Sequence, residues 1–185
     1  MIADILTEAE AKMEKSYDSM CQDFATMRVG RANPAILDKV VVDYYGVETP
    51  VSQTASISAP EPRLLMIQPW DRSTIGMIEK AIQKADLGLN PTNDGTVIRI
   101  AIPQLTEERR KELVKSAHKR AEEAKVAMRN IRRDLNDKIK DLEKKSEATE
   151  DEAKKGLDDA QKLTDKLIKK IDDTLNKKEK DIMEV

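Results

Sequence analysis

The stretch RNIRRDLNDK, from Arg129 to Lys138, sets three arginines within five residues among isoleucine and leucine. Cationic heads this close repel one another, so their gathering at Arg129, Arg132 and Arg133 calls for an anion or for a fully wet surface. Guanidinium forks bind phosphate bidentately and stack on nucleobases. Each phosphate they contact also releases condensed counterions. A nucleic-acid backbone, folded RNA rather than sequence-read DNA, is the ligand such groups would suit. No recognition-helix, zinc-finger or aromatic RNA-platform signature accompanies them.

Placing the surrounding helix on a wheel at about 100° per residue, with Arg132 as zero, gives the arginines neighbours. The apolar seam falls at roughly −100° to 0°, while His118, Lys125, Arg129, Arg133, Lys115 and Lys140 fall at roughly 20° to 100°. Between Lys115 and Lys140, only Glu122 and the neutral Asn136 share that stripe. The acids Glu112, Glu123, Asp134, Asp137 and Asp141 lie further round, at about 140° to 200°. A randomly solvated helix would mix its signs. Like-charged pairs at four-residue spacing cost only tenths of a kcal/mol, so a bland solvated face stays open beside the RNA-binding one.

Other chemistries find little purchase. His118 is the single histidine, which starves histidine-based metal triads and Ser/His/Asp sites of partners. Cys21 is the single cysteine, so there is no intramolecular disulfide and no thiolate cluster, and its place near a seam predicts a small buried group. GVETP and DLGLNP lack the phosphate-loop pattern. Helical pairing accounts for the many acids without acid–base chemistry. Trp70 is expected in a core rather than as a stacking platform. Catalysis, a metal and a cofactor are therefore not expected.

Thirty-three basic side chains against 35 acidic ones leave a net charge of −2, so a polyanion site must come from local segregation of charge. Charged residues make up 37% and aromatics 3% of the 185, a composition of long amphipathic helices. The amino terminus lacks a basic targeting region, and no stretch approaches the roughly 20 apolar residues of a membrane span. A cytoplasmic protein is expected.

Three segments must position the stripe. Leu6, Ala9, Met13, Tyr17, Met20, Phe24 and Met27 recur at three- and four-residue steps until Gly30 and Pro34 stop the helix. Thr106 caps a second helix with the seam Val114, Ala117, Ala121, Ala124, Met128, Ile131, Leu135 and Leu142. Thr149 and Glu152, at capping-box spacing, open a third that runs through Ala153, Leu157, Ala160, Leu167, Ile171, Leu175 and Ile182. KSEAT is a short turn between antiparallel neighbours, and the seams predict a three-helix bundle. Residues 31–104 read differently. ILDKVVVDYY, TASIS, RLLMIQPW and TVIRIAIP suggest strands, STIGMIEKAIQKA a helix with Ser73 as cap, and DLGLNPTNDG turns. The expected fold is thus α+β with two domains. A long antiparallel three-helix bundle (1–30 and 105–185) carries a small, mostly β, inserted α/β domain (31–104). Short linkers near 30–33 and 103–105 predict a hinge at Gly30, Arg31, Pro103, Gln104 and Leu105.

Four stretches in fixed order, MRVGRANPAILD, DRSTIGMIEKAIQKADLGLNP, PQLTEERRKEL and VAMRNIRRDLNDK, make the chain resemble the ribosome recycling factors over essentially its whole length. The resemblance implies an L-shaped, hinged monomer that binds the post-termination ribosome along large-subunit RNA. It implies elongation factor G as partner, whose GTP hydrolysis helps split the subunits and release messenger and deacylated transfer RNA. It also implies RNA contacts at Arg129, Arg132 and Arg133, with Arg28, Arg31 and Arg110 in support, and hinge positions at Gly30 and Pro103. Lys125 and His118 join the site from the stripe alone. The rival reading is a coiled-coil adaptor or chaperone, which would expose a broad apolar patch and tolerate charge reversal on the stripe.

Overall fold

The computed structural model describes residues 1–184 except Arg28 and Val29. The chain forms two compact units, one of Met1–Phe24 with Glu112–Met183, the other of Ala25–Lys111 with the last residues of the chain.

The first unit is built from α1 (Ile2–Thr26), α3 (Glu107–Lys144) and α4 (Glu150–Met183). At 38 and 34 residues, the two long helices would each span roughly 50 Å or more, at about 1.5 Å per residue. Their starts carry the expected caps. Arg109 N donates to Thr106 Oγ1 at 3.1 Å. Thr149 and Glu152 close a reciprocal capping box, Thr149 N to Glu152 Oε2 at 3.0 Å and Glu152 N to Thr149 Oγ1 at 3.1 Å. Met13, Met20, Met128, Leu167 and Ile171 are fully buried, as their spacing predicts. The seams differ in detail. Leu113 and Ile139 are buried, whereas Val114 and Leu142 are only half-buried. A long straight helix drifts about 20° per heptad against a strict seven-residue repeat, so burial moves to the adjacent position towards the ends. On α4, Gly156 and Thr164 also belong to the buried face. A Cβ on Gly156 would lie 3.0 Å from Ile2 Cγ2 and 3.3 Å from Ile139 Cδ1, so the missing side chain is what lets the three helices close here. Thr164 satisfies its hydroxyl on Ala160 O at 2.8 Å.

The second unit is mostly sheet. β1 (Val41–Tyr44) and β2 (Val47–Pro50) form an antiparallel hairpin. β3 (Ala55–Glu61), β4 (Leu64–Pro69), β6 (Ile98–Ala101) and β5 (Pro91–Asn93) form an antiparallel sheet in that order. α2 (Ile75–Lys84) packs Ile78 and Ile82 into the same core as Leu65, Ile67, Ile98 and Ile100. Leu65 pairs with Ile100 and Ile67 with Ile98, so both strands present the same alternation to α2. Several local expectations need correcting. Pro34–Leu37 is a 3-10 turn, which shortens the predicted first strand to Val41–Tyr44. Val47–Pro50, beyond the predicted strand, returns as its hairpin partner because Tyr45 and Gly46 both adopt positive φ. Ahead of α2 the cap is Asp71, not Ser73: its carboxylate accepts from Ser73 N at 3.0 Å and Ser73 Oγ at 2.6 Å.

Trp70 is 70% exposed, against the expectation of a core residue. The strand phase explains it. Leu65, Ile67 and Pro69 point inward along β4, so the next residue in line must point out, whatever its hydrophobicity. Tyr45 is also exposed, and its hydroxyl donates to Asp71 next to Trp70. Cys21 is half-buried rather than buried.

Candidate nucleic-acid interface

α3 carries Arg129, Arg132 and Arg133 on a helix anchored by Met128 and Leu135, both buried. What matters for a phosphate ligand is what each guanidinium already holds. Arg132 donates from Nη1 to the amide oxygen of Gln161 on α4 at 3.3 Å, and Gln161 Nε2 donates onward to Asp165 Oδ1 at 2.9 Å. The neutral amide orients Arg132 while keeping the carboxylate one group away. Arg133, exposed, reaches only Asn130 Oδ1 on its own helix among the described residues, at 3.4 Å. Arg129 meets Glu122, the acid that intrudes on the stripe, at 3.3 Å with its side chain 38% exposed. These are long, weak contacts, and two of the three partners are uncharged. Arg132 and Arg133 are therefore held but not quenched, and Arg129 is held loosely by a carboxylate.

The edge of the stripe nearest α4 behaves differently. Lys125 forms an ion pair with Asp172, its side chain only 18% exposed. His118 Nε2 stands 3.1 Å from Glu179 Oε2. Both groups serve the α3–α4 contact. Lys115 and Lys140 are exposed and make no ion pair among the described residues. On the far side of α3, Arg120 is bonded to Asp23 of α1 at 2.6 Å, a structural pairing away from the stripe.

The remaining candidates lie in the second unit or outside the described residues. Arg28 is among the latter. Arg31 pairs with Glu184 at 2.8 Å. Arg110 is half-buried, and its Nε is buried with no hydrogen-bond partner among the described residues. Gly30 has φ +77°, and a Cβ there would lie 3.4 Å from the side chain of Leu105, which is buried. Two linker stretches are tied to one turn of the sheet: Ala32 N donates to Pro62 O at 2.7 Å and Ile102 N to Arg63 O at 2.8 Å. Pro103 and Gln104 are exposed. No group of three or more His, Cys, Asp or Glu side chains is arranged to hold a metal ion among the described residues. No helix of the described residues is long and apolar enough to cross a membrane.

The sequence reading missed Gln161. A lone glutamine on a charged helix carries no signal until the neighbouring helix is docked and its register known.

A helical bundle that turns guanidinium groups outward, with a small sheet unit inserted in its chain, has a surface of the class suited to a polyanion. The comparisons give that class its family. The pattern of the family "Ribosome recycling factor" matches residues 20–183. The ribosome-recycling factor of Carboxydothermus hydrogenoformans is 63% identical over 185 residues, covering 100% of both chains. That of Bacillus subtilis is 58% identical over the same full length. A solution structure of ribosome recycling factor superposes with a TM-score of 0.82 at 44% identity, covering 100% of this chain and 98% of the other. A second similar structure is the T. thermophilus ribosome recycling factor, described together with E. coli elongation factor G bound to the E. coli post-termination complex. Its TM-score is 0.70 at 45% identity, covering 99% of each chain. The chain belongs to the ribosome recycling factor family.

Proposed function

We propose that this protein recycles ribosomes after termination. It binds the post-termination ribosome through ribosomal RNA. With elongation factor G, which performs the GTP hydrolysis, it promotes separation of the subunits and release of messenger and deacylated transfer RNA. The protein itself is not an enzyme: its relatives are named as factors, and the nucleotide chemistry lies with the partner. It works in the cytoplasm, where ribosomes terminate, and as a monomer.

The single observation that carries the residue-level reading is the neutrality of the partners of Arg132 and Arg133. Desolvating a guanidinium already bound to a carboxylate would forfeit that pair. One held by an amide exchanges a weak contact for a charge-assisted one. Arg132 and Arg133 are therefore assigned primary RNA contacts; Arg129, whose 3.3 Å contact with the exposed Glu122 is long, joins them from the same stripe, with Arg28, Arg31 and Arg110 in support. Lys125 and His118 shape the α3–α4 edge and add field rather than direct contact. Gly30, Arg31, Pro103, Gln104 and Leu105 are the pivot. They connect a stiff bundle to a unit with an exposed Tyr45, Val47 and Trp70, apolar surface of the kind a protein partner covers. Force applied there by the elongation factor would reach the RNA contacts through the bundle.

The adaptor reading asks for an apolar patch on the bundle. The large apolar side chains exposed there among the described residues are Met1, Val126 and Met183, which do not form one. The deciding experiment compares wild type and Arg132→Glu in ribosome pelleting and in subunit splitting with elongation factor G and GTP. The variant is expected to stay helical and lose ribosome binding. Splitting at the wild-type rate by that variant would remove the arginines from the site, and a wild type inert towards ribosomes would remove the function.

A further inference from the structure

The arginine stripe of α3 is not the only place where the bundle sorts its charges. Placed on a wheel with Lys154 as zero, the buried residues of α4 centre near 255°, so the solvent face centres near 75°. From residue 162 onward, Lys162, Lys166, Lys169, Lys177 and Lys180 all fall between about 60° and 140°. Asp173 is the one acid in that span to share the face. Asp165, Asp172 and Glu179 fall instead at about 340° to 20°, on the edge turned to α3. There Asp172 and Glu179 meet Lys125 and His118. Asp172 and Glu179 thus hold α3, and the lysines are left outward.

These lysines are exposed. Lys162 pairs with Asp158, one turn back at 3.1 Å. Lys166, Lys169, Lys177 and Lys180 form no ion pair among the described residues. From Lys162 to Lys180 the row runs about 27 Å at 1.5 Å per residue. In a three-helix bundle the outward faces of two neighbouring helices point roughly 120° apart, so this row and the arginine stripe look in different directions.

We propose that the lysine row of α4 is a second RNA contact, engaging a phosphate backbone other than the one held by the arginines. This rests on the recycling function proposed above and extends it: the bundle is held from two sides. One observation selects RNA over a protein partner, and the type of the cations agrees with it. Between residues 154 and 182 α4 exposes no large apolar side chain, whereas a protein interface needs apolar or aromatic anchors at its centre. And the cations are lysines, compact charges on flexible stems, which suit an irregular row of phosphates without demanding fork geometry. The arginines would set position, and the lysines would supply affinity that tolerates movement of the RNA.

The test is the salt dependence of binding to large ribosomal subunits, measured on the full chain. Neutralising Lys166, Lys169, Lys177 and Lys180 to glutamine together should lower the slope of log K against log salt by about three, at ~0.7–0.9 per lost phosphate contact. The same four changed to arginine should keep the wild-type slope. A charge-matched control, Lys12, Lys15, Lys80 and Lys84 to glutamine, should also leave it near wild type. An unchanged slope in the α4 variant, or an equal fall in the control, overturns the second contact. Because the arginines stay intact in all three variants, that failure is separate from one in which the wild type itself does not bind ribosomes. Loss of wild-type binding overturns the recycling function and this contact together.

Discussion

Gln161→Glu changes one amide to a carboxylate and should separate folding from function. The carboxylate would lie where the amide oxygen now accepts from Arg132 at 3.3 Å. A partly exposed ion pair is worth about 0.2–1 kcal/mol, and the half-buried setting of Arg132 places this one near the top of that range. The new charge also faces Asp165 four residues on, which returns a few tenths of a kcal/mol. The fold should therefore gain at most about 0.5 kcal/mol, or roughly 1–2 °C in Tm at this chain length. Ribosome binding should move the other way. Arg132 must leave its new partner to reach phosphate, and a carboxylate then remains beside the RNA. Together these cost about 1–1.5 kcal/mol, or roughly five- to tenfold in affinity. Circular dichroism melting and ribosome pelleting at one fixed salt concentration measure the two sides, with Gln161→Ala as a control expected to bind within about threefold of wild type. A Gln161→Glu variant that binds as tightly as wild type would mean that Arg132 does not meet RNA. A variant that loses binding by unfolding would mean that the amide holds the bundle rather than the charge.

Two further outcomes follow from the same geometry. Arg120→Gln breaks the 2.6 Å bond to Asp23 while leaving the stripe alone. At about 1–2 kcal/mol for a charge-assisted bond of a partly exposed pair, it should lower Tm by roughly 2–8 °C with ribosome affinity unchanged. Loss of affinity without loss of Tm would contradict that assignment. In the second unit, the backbone N–H groups of Val97 and Thr96, with the Arg99 guanidinium, hold the Asp94 carboxyl well below the usual carboxylate range. A depressed native value stabilises the fold above the unfolded value and is lost as pH falls through the native one. The stabilisation from Asp94 should thus fade below about pH 4, and Asp94→Asn should lack that fading part. Thermal unfolding read from β6 amide signals by NMR checks it. Parallel pH profiles of wild type and variant below about pH 4 would refute it.

Much of this was legible in the residues, and where it was not the reason is physical. Thr106, Thr149 and Glu152 announced their helix starts because capping is decided within one turn. Met13, Met128 and Leu167 announced the bundle because the apolar spacing along each helix is local. Leu113, Ile139 and Gly156 escaped because they depend on how helices drift and approach, which no single helix encodes. Trp70 was misread by weighing its chemistry above its phase on β4. The arginine stripe could be drawn from α3 alone, yet its split into quenched and unquenched parts could not. That split is decided by Asp172, Glu179 and Gln161, which come from another helix well beyond the KSEAT turn.

The chain's single indole sits outside the packed interior, on the second unit. Its emission should be that of a wet tryptophan before any denaturant is added, which would leave intrinsic tryptophan fluorescence nearly blind to melting of the helices. The same placement makes Trp70 a built-in optical probe for whatever docks on the sheet unit. A blue shift on mixing would report that arrival without any label.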